Sequence, residues 1–251
     1  MVKQWQNWLD FTLALTSREI KGRYKHAALG FLWIVANPLL QMLVIGLVFQ
    51  FIPGFRTENY FLYLFLGLLP WSFFTTSFSK ATPLFVYERY LIKKAAFPRE
   101  SLVISLILSN LLHLSIGLLL VLPFTGFSVN AVLLAAAVSW LFFFTAGISL
   151  LFSSLNVKFR DVDFFTKALL PLWFYTTPII YSPEILPHQL QQLLVLNPMT
   201  LIIQLFRAAF GVPETFSFGQ SLLIPLSLTL VVVVLGLLVF KKEEQYFDDW
   251  M

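Results

Sequence analysis

The charges divide this sequence into segments. Runs free of Asp, Glu, Lys and Arg extend over Ala27–Phe55, Asn59–Ser79, Ser101–Val157, Ala168–Pro183, Ile185–Phe206 and Thr215–Phe240. A bilayer core takes a helix of about 20 apolar residues. The run from Ser101 is long enough for two such helices, parted by a turn at Pro123–Asn130 that contains Gly126. Only 12% of the 251 residues are charged, whereas a soluble domain carries about 25%. That is too few to cover a water-facing surface, so part of the surface faces lipid.

The expected fold is all-α and integral to the membrane. Six transmembrane helices fall at 30–52, 60–79, 102–122, 132–154, 164–182 and 220–240. Pro187 and Asn197-Pro198 break the segment 184–213 into pieces too short to cross, so it reads as short external re-entrant helices before the last span. The first 26 residues hold Lys3, Asp10, Arg18, Glu19, Lys21, Arg23 and Lys25 and no apolar core of a signal peptide. Trp5, Leu9, Leu13, Ile20 and Tyr24 recur there at helical spacing, as in an amphipathic helix at the membrane interface. The chain thus reads as one transmembrane domain over 1–251, with an interface helix at 1–26, six spans within 27–240 and a tail at 241–251.

Charge also sets the orientation. All but two of the 17 Lys and Arg residues lie on the side shared by the N-terminus, the loops at 80–100 and 155–167, and the C-terminus. Only Arg56 and Arg207 lie opposite. The positive-inside rule then places both termini in the cytoplasm.

Several chemistries are excluded or weakened. The chain has no cysteine, no G-x-x-x-x-G-K-[ST] and no H-E-x-x-H, so it has no thiolate site, no Walker A cradle for ATP and no zincin motif. No span carries an acid or base near its middle apart from His113, which argues against an ion-coupled transporter with its own relay. Asp161 and Asp163 have the spacing of a divalent-metal pair, but Lys158 and Arg160 stand ready to pair with them.

The loop at 80–100 mixes aromatic and charged residues, as docking surfaces do. Thr82 reads as an N-cap and Pro83 as the first helical residue. Tyr87, Glu88, Arg89 and Tyr90, then Lys93, Lys94 and Arg99, are its candidate contacts. Trp33, Tyr63, Trp71, Trp140, Trp173 and Tyr175 are candidates for lining a path, since flat rings stack on sugar faces, although interfacial belts and lipid packing account for such residues too.

Read in order, several motifs resemble those of ABC-transporter permeases of the polysaccharide and polyol-phosphate export type. They are Arg18–Lys25 with Leu29–Trp33 and Asn37–Leu39, Leu91–Lys94 with Phe97–Glu100, Asn156–Asp161, Thr177–Tyr181, and Asn197–Thr200. The resemblance spans the chain; the ending Glu243–Asp249 matches loosely. It implies the membrane half of an exporter in the bacterial inner membrane, moving lipid-linked glycans such as O-antigen, capsule or teichoic acid outward. Two copies of the chain would pair with two copies of a separate ATPase, which holds ATP and Mg²⁺, while this chain holds no cofactor or metal. The helix near 83–98 would be the coupling helix. The other expected partners are lipid and the glycan, not nucleic acid. Headgroup contacts are expected from Arg18 and Arg23, with Lys21 and Lys25 assisting, since cations attract anionic headgroups; setting topology is the other role open to these four. An ABC permease for a drug or small amphiphile, and a prenyl-phosphate sugar enzyme using Asp161 and Asp163, are the alternatives.

Overall fold

The computed structural model describes residues 2–25, 32–49, 51, 59–94, 97–212 and 222–247. Parts of the Leu29–Trp33 motif, Arg56 and the end of the tail lie outside the described residues, as do the side chains of Trp5 and Tyr24. Among the described residues all regular structure is helical. The α-helices are α1 (Val2–Tyr24), α2 (Leu32–Phe49), α3 (Tyr60–Ala81), α4 (Leu84–Tyr87), α5 (Arg89–Lys94), α6 (Glu100–Val121), α7 (Ala131–Lys158), α8 (Asp161–Thr176), α9 (His188–Leu194), α10 (Pro198–Ala209) and α11 (Leu223–Glu243).

Four helical stretches are long and apolar enough to cross a membrane: Tyr60–Ala81, Glu100–Thr125, Ala131–Lys158 and Leu223–Tyr246. They match four of the expected spans within a few residues. The remaining two are shorter. α2 has 18 residues, about 27 Å at 1.5 Å per residue, and α8 has 16, about 24 Å. After α8 the chain leaves helical geometry at Thr177, which is extended. The pair α9 and α10 is bent by 89°, so the segment 184–213 does contain two short helices.

Local chemistry sets the element ends. At Gly126 the backbone turns with φ of 60° after a 3₁₀ turn at Leu122–Thr125, a left-handed conformation that glycine adopts without a steric penalty. Asn130 then caps α7, its side chain accepting from the N–H groups of Val132 and Leu133 at 3.1 Å. Asn197 does the same for α10 through Met199 at 3.1 Å, with Pro198 in the first helical turn. Thr82 does not cap. Its hydroxyl donates back to the Phe78 carbonyl at 2.9 Å and so finishes α3.

α3 is the most enclosed span and α11 the least. The core gathers around Phe74, whose ring lies 5.6 Å from those of Phe78 and Phe144 and 5.1 Å from Trp173. α7 and α11 meet at Gly147 and Gly236. A Cβ on Gly147 would lie 2.7 Å from the Val233 Cα, and one on Gly236 would run into the Gly147 carbonyl. Small residues let helix backbones approach this closely in membranes. Beside them the Trp140 indole donates to Thr229 Oγ1 at 2.8 Å.

α1 does not lie apart from the bundle as a free interface helix would. It packs lengthwise on α6, with Thr12 and Leu15 buried and the rings of Phe11 and Phe97 5.0 Å apart.

Candidate functional site

Two short turns follow α3. The single helix expected near 83–98 is interrupted at Glu88, where φ is −92° and ψ is 16°. One face of these turns is anchored. Phe85 is fully enclosed, 4.9 Å from the Phe247 ring and 5.8 Å from Phe240, and Ile92 is buried. The other face is displayed: Tyr87 is 72% exposed and Tyr90 69%, and Arg89, Lys93 and Lys94 are exposed with them. Lys94 sits over the Tyr90 ring at 4.0 Å. Two expected contacts turn inward instead. Glu88 pairs with Arg18 of α1. Arg99 donates to the Glu244 carbonyl and lies 5.6 Å from the Phe247 ring, tying the loop to the end of α11.

The four cations expected at the headgroup therefore part company. Arg18 faces Glu88, and Lys21 and Lys25 are exposed. Arg23 reaches inward, with Nη2 donating to Ser109 Oγ at 3.2 Å and Nη1 lying 3.1 Å from His113 Nδ1. No span itself carries a cation near its middle, but α1 brings Arg23 alongside α6 from outside it. The Arg23 group borders a cavity of about 410 Å³ between α1, α2, α3 and α6. Trp33 and Trp71, both candidate path residues, line it. A shallower cleft of about 380 Å³ continues past Trp71 and Thr75 to Ser79, Lys167 and Tyr175.

The other aromatic candidates are placed differently. Tyr63 is 1% exposed. Trp140 is held between α7 and α11. Trp173 donates to Asn197 Oδ1 at 3.0 Å and borders a groove of about 520 Å³ with Tyr175. Within a single copy, then, Trp33 and Tyr175 are exposed and Trp173 is half-buried at its groove, Trp71 is a buried residue with an edge on the cavity, and Tyr63 and Trp140 are packing residues.

Arg207, one of the two cations set opposite the rest, is not displayed at the surface. It is 3% exposed. Its guanidinium donates to three backbone carbonyls: Tyr63 at 3.2 Å, Pro178 at 2.9 Å and Ile179 at 2.9 Å. It also lies 3.4 Å from the centre of the Tyr63 ring, a cation–π contact. Two hydroxyls extend the row, Tyr60 donating to the Ile180 carbonyl and Tyr63 to that of Tyr181, each at 2.9 Å. Four successive carbonyls, 178 to 181, are thus satisfied by side chains where helix α8 has ended. Gly67 makes room, since a Cβ there would lie 2.8 Å from Arg207 Nη2. A lone Arg in a short amphipathic helix gives no sequence signal of such a partner set.

Asp163 is engaged as well. Its carboxylate meets Lys167 Nζ at 2.6 Å, and its backbone N–H donates to Asn156 Oδ1 at 3.0 Å. No three His, Cys, Asp or Glu residues converge on a metal-sized site among the described residues.

Residues 11–210 match the ABC-2 type transporter family, and the chain belongs to it. Over 252 residues it is 30% identical to the O-antigen export system permease protein RfbA of Klebsiella pneumoniae, with 96% of this chain and 94% of the relative covered. It is 32% identical over 217 residues to RfbA of Myxococcus xanthus, with 84% of each chain covered. The polysialic acid transport protein KpsM of Escherichia coli is 25% identical over 241 residues, with 92% of this chain and 93% of that one covered.

Proposed function

We propose that the chain is the membrane-spanning permease subunit of an ATP-driven exporter that moves a lipid-linked polysaccharide outward across the bacterial inner membrane. The likeness to O-antigen and polysialic acid permeases along nearly the whole chain supports the substrate class. The observation that carries the reading is the pair of turns α4 and α5, built for docking. Tyr87, Arg89 and Tyr90 project from a base that Phe85 fixes against the end of the last span. A projecting aromatic and Arg surface on a rigid base suits a protein partner, and a separate ATPase is the partner that a chain without a nucleotide motif requires. In this reading α2 and α8 complete six spans, both termini are cytoplasmic, and two copies enclose the path, since six helices are few to surround a glycan.

Deleting the gene and extracting lipid-linked glycans from the cytoplasmic leaflet tests the reading. Accumulation inside the cell, relieved by the intact gene, is the expected result. Normal glycan export together with sensitivity to an amphiphilic drug would replace it with the small-amphiphile reading. Reporter fusions at Gly126 and at Lys94 test the orientation, the first expected outside and the second inside.

A further inference from the structure

α1 and α6 run side by side in the same direction. Thr12 meets Ser101 near the start of α6, and Arg23 meets Ser109 and His113 farther along. His113 lies 13 residues beyond Glu100, about 20 Å along a helix of about 33 Å. Arg23, between Ser109 and His113, therefore lies near the middle of the Glu100–Thr125 span, where cations are rare and face water-filled cavities or substrate paths.

The 410 Å³ cavity lies beside it. That volume falls in the range of about 300–1,000 Å³ typical of small-ligand sites, room for a phosphate and a sugar or two but not a polymer. Its lining combines three kinds of polar or aromatic group: the Arg23 fork, the indoles of Trp33 and Trp71, and the amides of Asn37 and Gln41. A guanidinium fork matches phosphate oxygens. Indole faces suit the apolar side of a pyranose, and amides both donate to and accept from hydroxyls. A purely apolar tail needs none of these groups, and an inorganic anion needs only the first.

Resting on the export reading, we infer that this cleft binds the phosphate-linked first sugar of the lipid-linked glycan. Arg23 holds the phosphate, His113 and Ser109 orient the guanidinium, and Trp33 and Trp71 flank the ring. The cleft reads the junction that every chain of one glycan type shares, so recognition is independent of chain length.

The test is equilibrium binding to the permease–ATPase complex in nanodiscs, followed by native mass spectrometry. The probes are a polyprenyl diphosphate bearing one N-acetylhexosamine, a sugar-free polyprenyl phosphate, the phosphate-free polyprenol, and phosphatidylglycerol as competitor. Wild type is expected to bind the sugar diphosphate most tightly and the polyprenol least. Arg23→Gln should weaken the sugar diphosphate by at least about tenfold, the loss of a charge-assisted contact, with Arg23→Lys in between. Trp33→Ala should weaken the sugar-bearing probe severalfold and leave the sugar-free phosphate unchanged. Equal affinity in wild type and Arg23→Gln overturns the site while leaving the export reading intact. Competition by phosphatidylglycerol as effective as the probe itself also overturns it, marking a bulk headgroup site. A wild-type complex that binds none of the phosphate probes overturns both readings. If Arg23→Gln does not assemble, Trp33→Ala and Asn37→Ala on the exposed rim decide the matter, and unchanged affinity in both overturns the site.

Discussion

Arg207 and Arg23 are both withdrawn from solvent, yet their surroundings differ in kind. Arg207 is saturated by the protein itself: three carbonyls take its donors and the Tyr63 ring covers its face. Arg23 is steered by Ser109 and His113 but borders a void with polar walls. A buried cation clasped by carbonyls and a ring holds a shape, whereas a half-buried one beside a polar-walled cavity can hold a ligand. The same contrast runs through the two ends of the bundle. At one end side chains close over the carbonyls of 178–181, while at the other α4 and α5 display Tyr87 and Tyr90.

The largest effect should come from Arg207→Met. It strips donors from three buried carbonyls, at about 1–3 kcal/mol for each group left unsatisfied. The expected outcome is little folded protein in the membrane and a thermal midpoint far below wild type after solubilisation. Full abundance with a selective loss of export would break the contrast by making Arg207 a ligand-facing group. At the open end, Tyr87→Ala with Arg89→Ala should leave folding intact and lower ATPase affinity by about 2 kcal/mol or more, as for interface anchors. Pull-down titration against the partner reads it, and unchanged affinity with normal export would dismiss α4 and α5 as the docking face. Tyr63→Phe sharpens the picture of the closed end, because it keeps the ring under Arg207 and deletes only the bond to the Tyr181 carbonyl. A loss of about 1 kcal/mol is expected in thermal denaturation. Smallest is Arg18→Gln, which removes a partly exposed pair with Glu88 worth about 1 kcal/mol at most. Its abundance and melting should match wild type, and a large drop would mean that α1 is held mainly by that pair.

The long spans were legible because uninterrupted apolar length is a property of one segment. The turn at Pro123–Asn130 and the break at Asn197-Pro198 were legible for the same reason, since turns and breaks act on their own segment. What could not be read was which surfaces meet. The α1 periodicity announced an amphipathic helix, but nothing in it named α6 as the surface that buries it. As a result the sequence did not place Arg23 beside Ser109 and His113 of α6. The partners of Arg207 could not be read because its acceptors are carbonyls more than 25 residues away, which have no residue signature. Tyr63 and Trp140 share the composition of Trp33 and Trp71, and only packing separates indoles on a cavity from rings in a core. Thr82 had the chemistry of a cap, but α3 ran on to claim its hydroxyl.

The enclosed ring of Phe85 has a mechanical consequence. It is wedged against Phe240 and Phe247 at the end of α11. α11 is meshed with α7 at Gly236 and Gly147, where the backbones leave no slack. At the far end of α7 the Asn130 N–H donates to the Ala209 carbonyl of α10 at 2.8 Å, two residues from Arg207 and the carbonyls it grips. Packed interiors compress little. A thrust delivered to the docking turns therefore meets an unbroken drive train, from wedge to gear to tie-rod, that ends at the opposite rim of the bundle.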